Sequence, residues 1–327
     1  MRLFENIKVK WLRKVLIFVL GLLVIFVGCS NLFKPSYEVY DYINVYKSLN
    51  RVNSEKDNTV DVLFAGNSEC ADGFSPIQLY RDYGITSQNI GFPLERLCDS
   101  YAMINEIIKH QSPKLIVLES DSFFLDSKVY DEDDEYLEAM EKIFPILHYH
   151  QVYRLWKPDS IRLTSDIDED KYKGFWVKNG NVPYTGDVDY VNNKVGEETS
   201  FNEDALVYLN KIVELCKENN ITLCVMTMPS PNNFTIKRHN CIQAWCDNNG
   251  INYYDLNYYT NDMNIDWNSD SLDGGDHLNF DGTVKVNNYI GEILAKTYSL
   301  SDRRGDSNYD SWSKALALCE IYGGSKG

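Results

Sequence analysis

The stretch TVDVLFAGNSE, residues 59–69, decides how the rest of this chain is read. Its first seven residues are rich in β-branched and aromatic side chains, as a buried strand requires, and Gly66 closes the run. A strand of this kind delivers Ser68 to its carboxyl end, where ligands gather in parallel α/β sheets. Working outward, Pro76 opens a short helix through Tyr83, residues 87–92 read as a second strand, and residues 95–110 carry helical spacing at Leu97, Tyr101, Ile104 and Ile108. Pro113 ends that helix and KLIVLE, residues 114–119, is a third buried strand. Strand, helix, strand, helix, strand is the rhythm of a parallel sheet with helices on both faces.

The rhythm breaks between residues 126 and 200, where an acidic run, a His148-Tyr149-His150 tract, Trp156 and a patch rich in glycine and asparagine read as an insertion or lid. It resumes with a helix over 202–219, a strand over 223–228 stopped by Pro229, a helix near 237–249, a strand over 252–256 and a closing helix over 282–298. The tail from Asp302 is polar apart from Trp312, Leu316, Leu318 and Ile321, and could dock as a short amphipathic helix or stay free.

The chain has 327 residues, 44% of them apolar, which suits one sizeable α/β core with insertions. Residues 15–33 carry no charge over about the 20 residues that span a bilayer. Arg2, Lys8, Lys10, Arg13 and Lys14 precede them, so the positive-inside rule predicts a cytoplasmic N-terminus and an exported body. An uncleaved anchor is the first reading, and a lipoprotein signal ending at Cys29 the second. The organisation expected is a cytoplasmic N-terminus over 1–14, an anchor over 15–33, a linker over 34–58, an extracytoplasmic domain over 59–300 and a tail over 301–327.

A net charge of −16 argues against nucleic acid as a partner, because its phosphates would be repelled. The eight cysteines show no CxxC spacing, so buried free thiols are expected and a metal site is not.

A serine hydroxyl is a poor nucleophile until a base takes its proton, and His277 is placed on a late loop entering the last long helix. Ser68 and His277 are therefore candidate nucleophile and base, against the plainer readings of a turn serine and a helix-capping histidine. Two aspartates could orient the imidazole. Asp273 stands four residues before it, across Gly274 and Gly275, and can curl back; Asp276 is adjacent and points elsewhere by default.

Gly66-Asn67-Ser68-Glu69, Pro76, Gln88-Asn89-Ile90-Gly91, residues 114–119 and Asp276-His277-Leu278-Asn279 with Gly282 together resemble the SGNH (GDSL-like) hydrolase superfamily. Within it the chain resembles the membrane-anchored branch of D-alanyl-lipoteichoic acid protein D and the alginate acetylation proteins. The resemblance covers roughly residues 60–295. It implies a three-layer, flavodoxin-like parallel sheet and a Ser-His-Asp relay needing no metal or organic cofactor. It also implies oxyanion donors from the serine amide, a glycine after the second strand and an asparagine after the third. Gly91 matches the glycine. The asparagine is missing, because the third strand runs into Glu119-Ser120-Asp121, and Asn67 or Asn89 could replace it unless each is simply a turn residue. Glu69 reads as a structural cap of the following helix. His148, His150 and Trp156 could stack on and bind a sugar, or form the packed face of a helix.

The resemblance implies an O-acyltransferase component passing an acyl group, commonly acetyl, to an extracellular polysaccharide or cell-wall glycan, beside a polytopic membrane-bound O-acyltransferase. A glycan O-acyl esterase with the same relay, and a non-catalytic scaffold of the same fold, are the alternatives.

Overall fold

The computed structural model describes residues 2–35, 37–129, 135–150, 171–319 and 321. The chain divides into two compact units, Met1–Glu38 with Tyr130–Ile161, and Val39–Val129 with Arg162–Gly327.

The smaller unit is built on helix α1 (Arg2–Leu32). Its segment Val9–Leu32 is long and apolar enough to cross a membrane, with a mean hydropathy of 2.7 and almost no burial.

The larger unit is a five-stranded sheet, wholly parallel, in the order β2-β1-β3-β4-β5. The parallel pairing is what the alternating pattern predicts, and the order is the flavodoxin-like one that the resemblance implies. The strands are β1 (Val62–Ala65), β2 (Ser87–Asn89), β3 (Leu115–Glu119), β4 (Thr222–Thr227) and β5 (Asn252–Asp255). Val62 pairs with both Ser87 and Leu115, and Leu115 with Thr222, so β1 and β3 lie at the centre. Both are buried along their whole length, as strands covered on two faces must be.

In chain order the helices of this unit begin with α2 (Tyr42–Asn53), α3 (Ser68–Gly73), α4 (Pro76–Tyr83) and α5 (Leu97–Ile107). Helices α6 (Glu135–Ile143) and α7 (Ile146–Tyr149) belong to the smaller unit. Then follow α8 (Tyr190–Asn193), α9 (Glu203–Glu218), α10 (Ile236–Asn249), α11 (Phe280–Thr297) and α12 (Asp310–Leu318). Alternate strand residues Val62, Phe64, Leu115, Val117, Cys224 and Met226 join one core cluster with Leu79 of α4 and Val286, Ile290 and Leu294 of α11. The intervening residues point to the opposite face, where α2, α5 and α9 pack in succession.

Boundaries differ from the sequence reading where local hydrogen bonds intervene. Thr59 and Val60 donate their backbone N–H groups to Gln111 Oε1, at 2.9 and 3.1 Å, so pairing starts only at Val62. The expected linker over 34–58 is in large part folded structure: Val45, Leu49 and Val52 of α2 are buried. The buried carboxylate of Asp99 accepts from the N–H groups of Tyr40 and Asp41 and so pins the entry to α2. The tail docks. Trp312 is fully buried with its indole N–H on the Ser87 carbonyl at 3.1 Å, and Arg303 forks onto Asp61 at 2.7 and 2.9 Å. All eight cysteines are free thiols.

Residues 171–184 return from the insertion as a strap. Asn89 donates to the Lys173 carbonyl, Trp176 to that of Ala71, and Val182 to that of Ser271. Gly174 makes this close approach possible: at φ +89° its missing Cβ would sit 1.9 Å from the Asn89 carbonyl oxygen.

Candidate active site

Strand β1 ends at Ala65, and the chain must turn at once to enter α3. Gly66 takes φ +148° there, and a Cβ at this position would lie 2.7 Å from Glu119 Cβ, so only glycine fits between β1 and the end of β3. Asn67 caps α3 by accepting the Glu69 N–H on its Oδ1, which leaves Ser68 as the first helical residue, at the carboxyl edge of the sheet.

The second half of the site is the loop ahead of α11. Ser271 and Leu278 form an antiparallel bridge, and between them Gly274 and Gly275 adopt φ +81° and +99° with both N–H groups on Ser271 Oγ. This tight turn folds Asp273 back on the imidazole. Its Oδ1 accepts the His277 backbone N–H, and its Oδ2 lies 2.7 Å from His277 Nδ1. His277 Nε2 then stands 2.9 Å from Ser68 Oγ, across a separation of 209 residues. Asp276 Oδ2 is 3.5 Å from Nδ1, while its Oδ1 accepts from Asn233 Nδ2 at 2.7 Å. Asp273 is thus the carboxylate in hydrogen-bonding contact with the ring, and Asp276 flanks it.

Two findings alter the expected electrostatics. The Glu69 carboxyl does not act as the cap; Asn67 does. Glu69 Oε2 instead accepts from Ser68 Oγ at 3.1 Å and lies 4.0 Å from His277 Nε2, while Oε1 accepts from Asn233 at 2.8 Å. Burial, reinforced by the charge of Asp121 and opposed by His277, raises the Glu69 pKa to about 7. Burial does the same to Asp72, also to about 7. For His277 burial pulls the pKa down, but the charges of Asp72 and Glu69 and the bond to Asp273 outweigh it, so it stands above its usual value.

The second finding lies at the end of β3. Asp121, where the resemblance expects asparagine, accepts from Asn67 Nδ2 at 2.7 Å and pairs with Arg238 at 2.6 Å. Glu119 is fully buried, and desolvation, together with the charges of Glu69 and Asp121, pushes its pKa well up.

Gly91 and Asn89 are corrected as oxyanion donors. The Gly91 N–H is already given to Asn89 Oδ1 at 3.0 Å, and Asn89 Nδ2 donates to the carbonyls of Cys70 and Phe74. Both residues are buried behind α3, and the Gly91 position is a packing one, since a Cβ would fall 2.8 Å from Cys70 Sγ and the Gly66 carbonyl. The Ser68 amide has no acceptor among the described residues, and Asn67 gives Asp121 only one of its two amide protons. Those two N–H groups, beside Ser68, keep donor capacity among the described residues.

His148 and His150 lie in the smaller unit. His148 Nδ1 is 3.1 Å from Glu141 Oε2, and His150 Nδ1 is 2.6 Å from the Leu147 carbonyl oxygen, so their rings serve contacts within that unit. Trp156 lies outside the described residues. Sequence reasoning passed over Asn233 and Arg238, which no motif marks; Glu69, next to the serine, and Asp121, at the end of the third strand, offered a signal.

Two clefts open beside the serine, sharing Glu69 and Met228 in their walls. The smaller, about 200 Å³, is lined by Asp72, His277 and Thr283. The larger, about 340 Å³, runs past Asp121 and Arg238 to His239, whose Nδ1 is 2.8 Å from Asp255. The arrangement can carry a serine proton to an imidazole held by a carboxylate, in a largely acidic setting.

No protein-family model matches the sequence, and no curated protein matches it. Solved structures do align with it. A protein of Bacteroides fragilis named as an acylhydrolase aligns with a TM-score of 0.42 and 17% identity, over 79% of this chain and 99% of its own. A GDSL-like lipase of Bacteroides thetaiotaomicron aligns with a TM-score of 0.40 and 13% identity, over 78% and 99%.

Proposed function

We propose that this chain is an extracytoplasmic serine acyltransferase, anchored by α1, that moves an acyl group, acetyl by first choice, to a hydroxyl of a cell-surface polysaccharide. The observation that carries the chemistry is the continuous contact Ser68 Oγ to His277 Nε2 to Asp273, at 2.9 and 2.7 Å. With Asp273 accepting the Nδ1 proton, Nε2 is the basic nitrogen and faces the hydroxyl. His277 takes the Ser68 proton as Oγ adds to the acyl carbonyl. The N–H groups of Ser68 and Asn67 meet the oxyanion, and the imidazolium returns the proton to the leaving group as the carbonyl re-forms. In the second half an acceptor hydroxyl gives its proton to His277 as its oxygen attacks the acyl carbonyl, and the imidazolium returns that proton to Ser68 Oγ as the acyl–Oγ bond breaks.

Water as the acceptor would make the same relay an esterase. Transfer is favoured because α1 is apolar enough to span a bilayer. A tethered site is held at high local concentration beside a membrane partner, such as a polytopic O-acyltransferase that brings the acyl group across. A freely diffusing hydrolase has no need of the tether.

The test is the intact mass of the full chain after incubation with an activated acetyl ester. One acetyl adduct that needs Ser68 and forms slowly in His277→Ala supports the relay. Persistence of the adduct in water, and its loss on adding a glycan acceptor, supports transfer, whereas rapid loss in water supports hydrolysis. No adduct under conditions that acylate a known serine esterase would sink both and leave a scaffold.

A further inference from the structure

Helix α6 is built with its apolar side outward. On a helical wheel Tyr136, Ala139, Met140 and Ile143 fall on one side of EYLEAMEKI, and Glu141 and Lys142 away from them. A helix of a globular unit turns the first set inward. Here Tyr136, Met140 and Ile143 are 86, 46 and 58% exposed, while the Glu141 side chain is only 14% exposed and is paired with His148.

The residues that follow α6 are tied to α1. The Phe144 ring packs on Phe26 of α1 with centroids 5.3 Å apart; the Ile146 N–H donates to Ser30 Oγ at 2.8 Å, and the Tyr149 hydroxyl to the Ser30 carbonyl. These ties fall in the last two turns of the segment Val9–Leu32. At 1.5 Å per residue Phe26 and Ser30 lie about 17 and 23 Å beyond Val15, where the uncharged stretch begins, and so in the outer half of the roughly 30 Å hydrocarbon core. Ile143, one residue before Phe144, is therefore held at the depth of the outer leaflet, where an amphipathic helix can lie against the acyl chains.

We propose that α6 is a second membrane contact, with Met140 and Ile143 seated in the acyl chains of the outer leaflet and Tyr136 at the headgroup level. The inference rests on the reading of α1 as an anchor. With three glutamates and one lysine, α6 has no attraction for anionic headgroups, so its seating depends on the tether supplied by α1 and on apolar burial alone. The contact would limit how freely the unit tilts over the bilayer.

The experiment uses the full chain in vesicles of zwitterionic phosphatidylcholine carrying a phospholipid with a photoreactive diazirine in its acyl chain. Labelled peptides are mapped by mass spectrometry. Helix α9, which exposes Leu206 and Val207 in the larger unit, supplies the background. Labelling of α1 together with α6, the latter several-fold above α9, and loss of the α6 label alone in Ile143→Asp, is the expected result. Labelling of α1 with α6 at the α9 level overturns the inference and leaves the anchor standing. An unlabelled α1 overturns the anchor reading and the inference with it.

Discussion

Replacing Glu69 by glutamine should move the pH dependence of Ser68 acylation to lower pH. The neutral imidazole is the base, so the rate rises as His277 loses its proton, and any carboxylate that stabilises the imidazolium delays that rise. Glu69 Oε2 lies 4.0 Å from His277 Nε2. At an effective dielectric of about 20, a full charge at that distance is worth about 4 kcal/mol, or about 3 pK units. Glu69 itself titrates near 7, so it does not carry a full charge along the acid limb, and its protonation is coupled to that of His277; a displacement of about one pH unit is the reasoned value. The amide leaves Oε1 in place for Asn233 and turns an N–H toward Ser68 Oγ, so the serine proton has His277 as its acceptor. The assay is the initial rate of acetyl-adduct formation, by intact mass, between pH 5 and 9. On the acid limb the variant should be up to about tenfold faster than the natural chain, with the two converging at alkaline pH. Asp72→Asn removes the charge that raises the His277 pKa most and should move the limb in the same direction. A midpoint that stays in place or rises in both variants would refute the electrostatic account of this site.

Asp273→Asn should lower the acylation rate by about 10²- to 10⁴-fold by releasing the imidazole from its productive tautomer, while Asp276→Asn costs less than about tenfold; equal losses in the two would make Asp276 an equal partner. Trp312→Ala should destabilise the larger unit by about 3–5 kcal/mol in urea unfolding, since it empties a fully buried site and strips the Ser87 carbonyl of its donor; a change within error would mean that the tail does not dock. Gly91→Ala should cost about 1–3 kcal/mol through overlap with Cys70 and the Gly66 carbonyl; unchanged stability in urea unfolding would refute the packing role.

Much of the fold was legible because its signals are local. The buried strand before Gly66, Pro76 at the start of α4 and the glycine pair ahead of His277 each act through backbone preferences over a few residues. Helix α2 carries the helical spacing Val45, Leu49 and Val52, which the reading of 34–58 as a polar linker passed over, and its anchor is a carboxylate at Asp99, more than fifty residues away. The docking of the tail was undecidable for the same reason: Trp312 marks an apolar residue, but its partner is a carbonyl at Ser87.

By itself the sequence determined the parallel α/β alternation, an apolar segment able to span a bilayer, and a short set of polar residues at strand ends and on the late loop. Only the tertiary structure decided which of them touch. It set Asp273 rather than Asp276 on the imidazole, turned Glu69 from a helix cap into a partner of Ser68, and closed Gly91 and Asn89 into the packing behind α3. The physical reason is range. Dihedral preferences and hydrophobic periodicity act over a few residues, whereas the hydrogen bonds of the site join groups 164 and 209 residues apart, and a carboxyl's charge depends on how deeply the whole fold buries it.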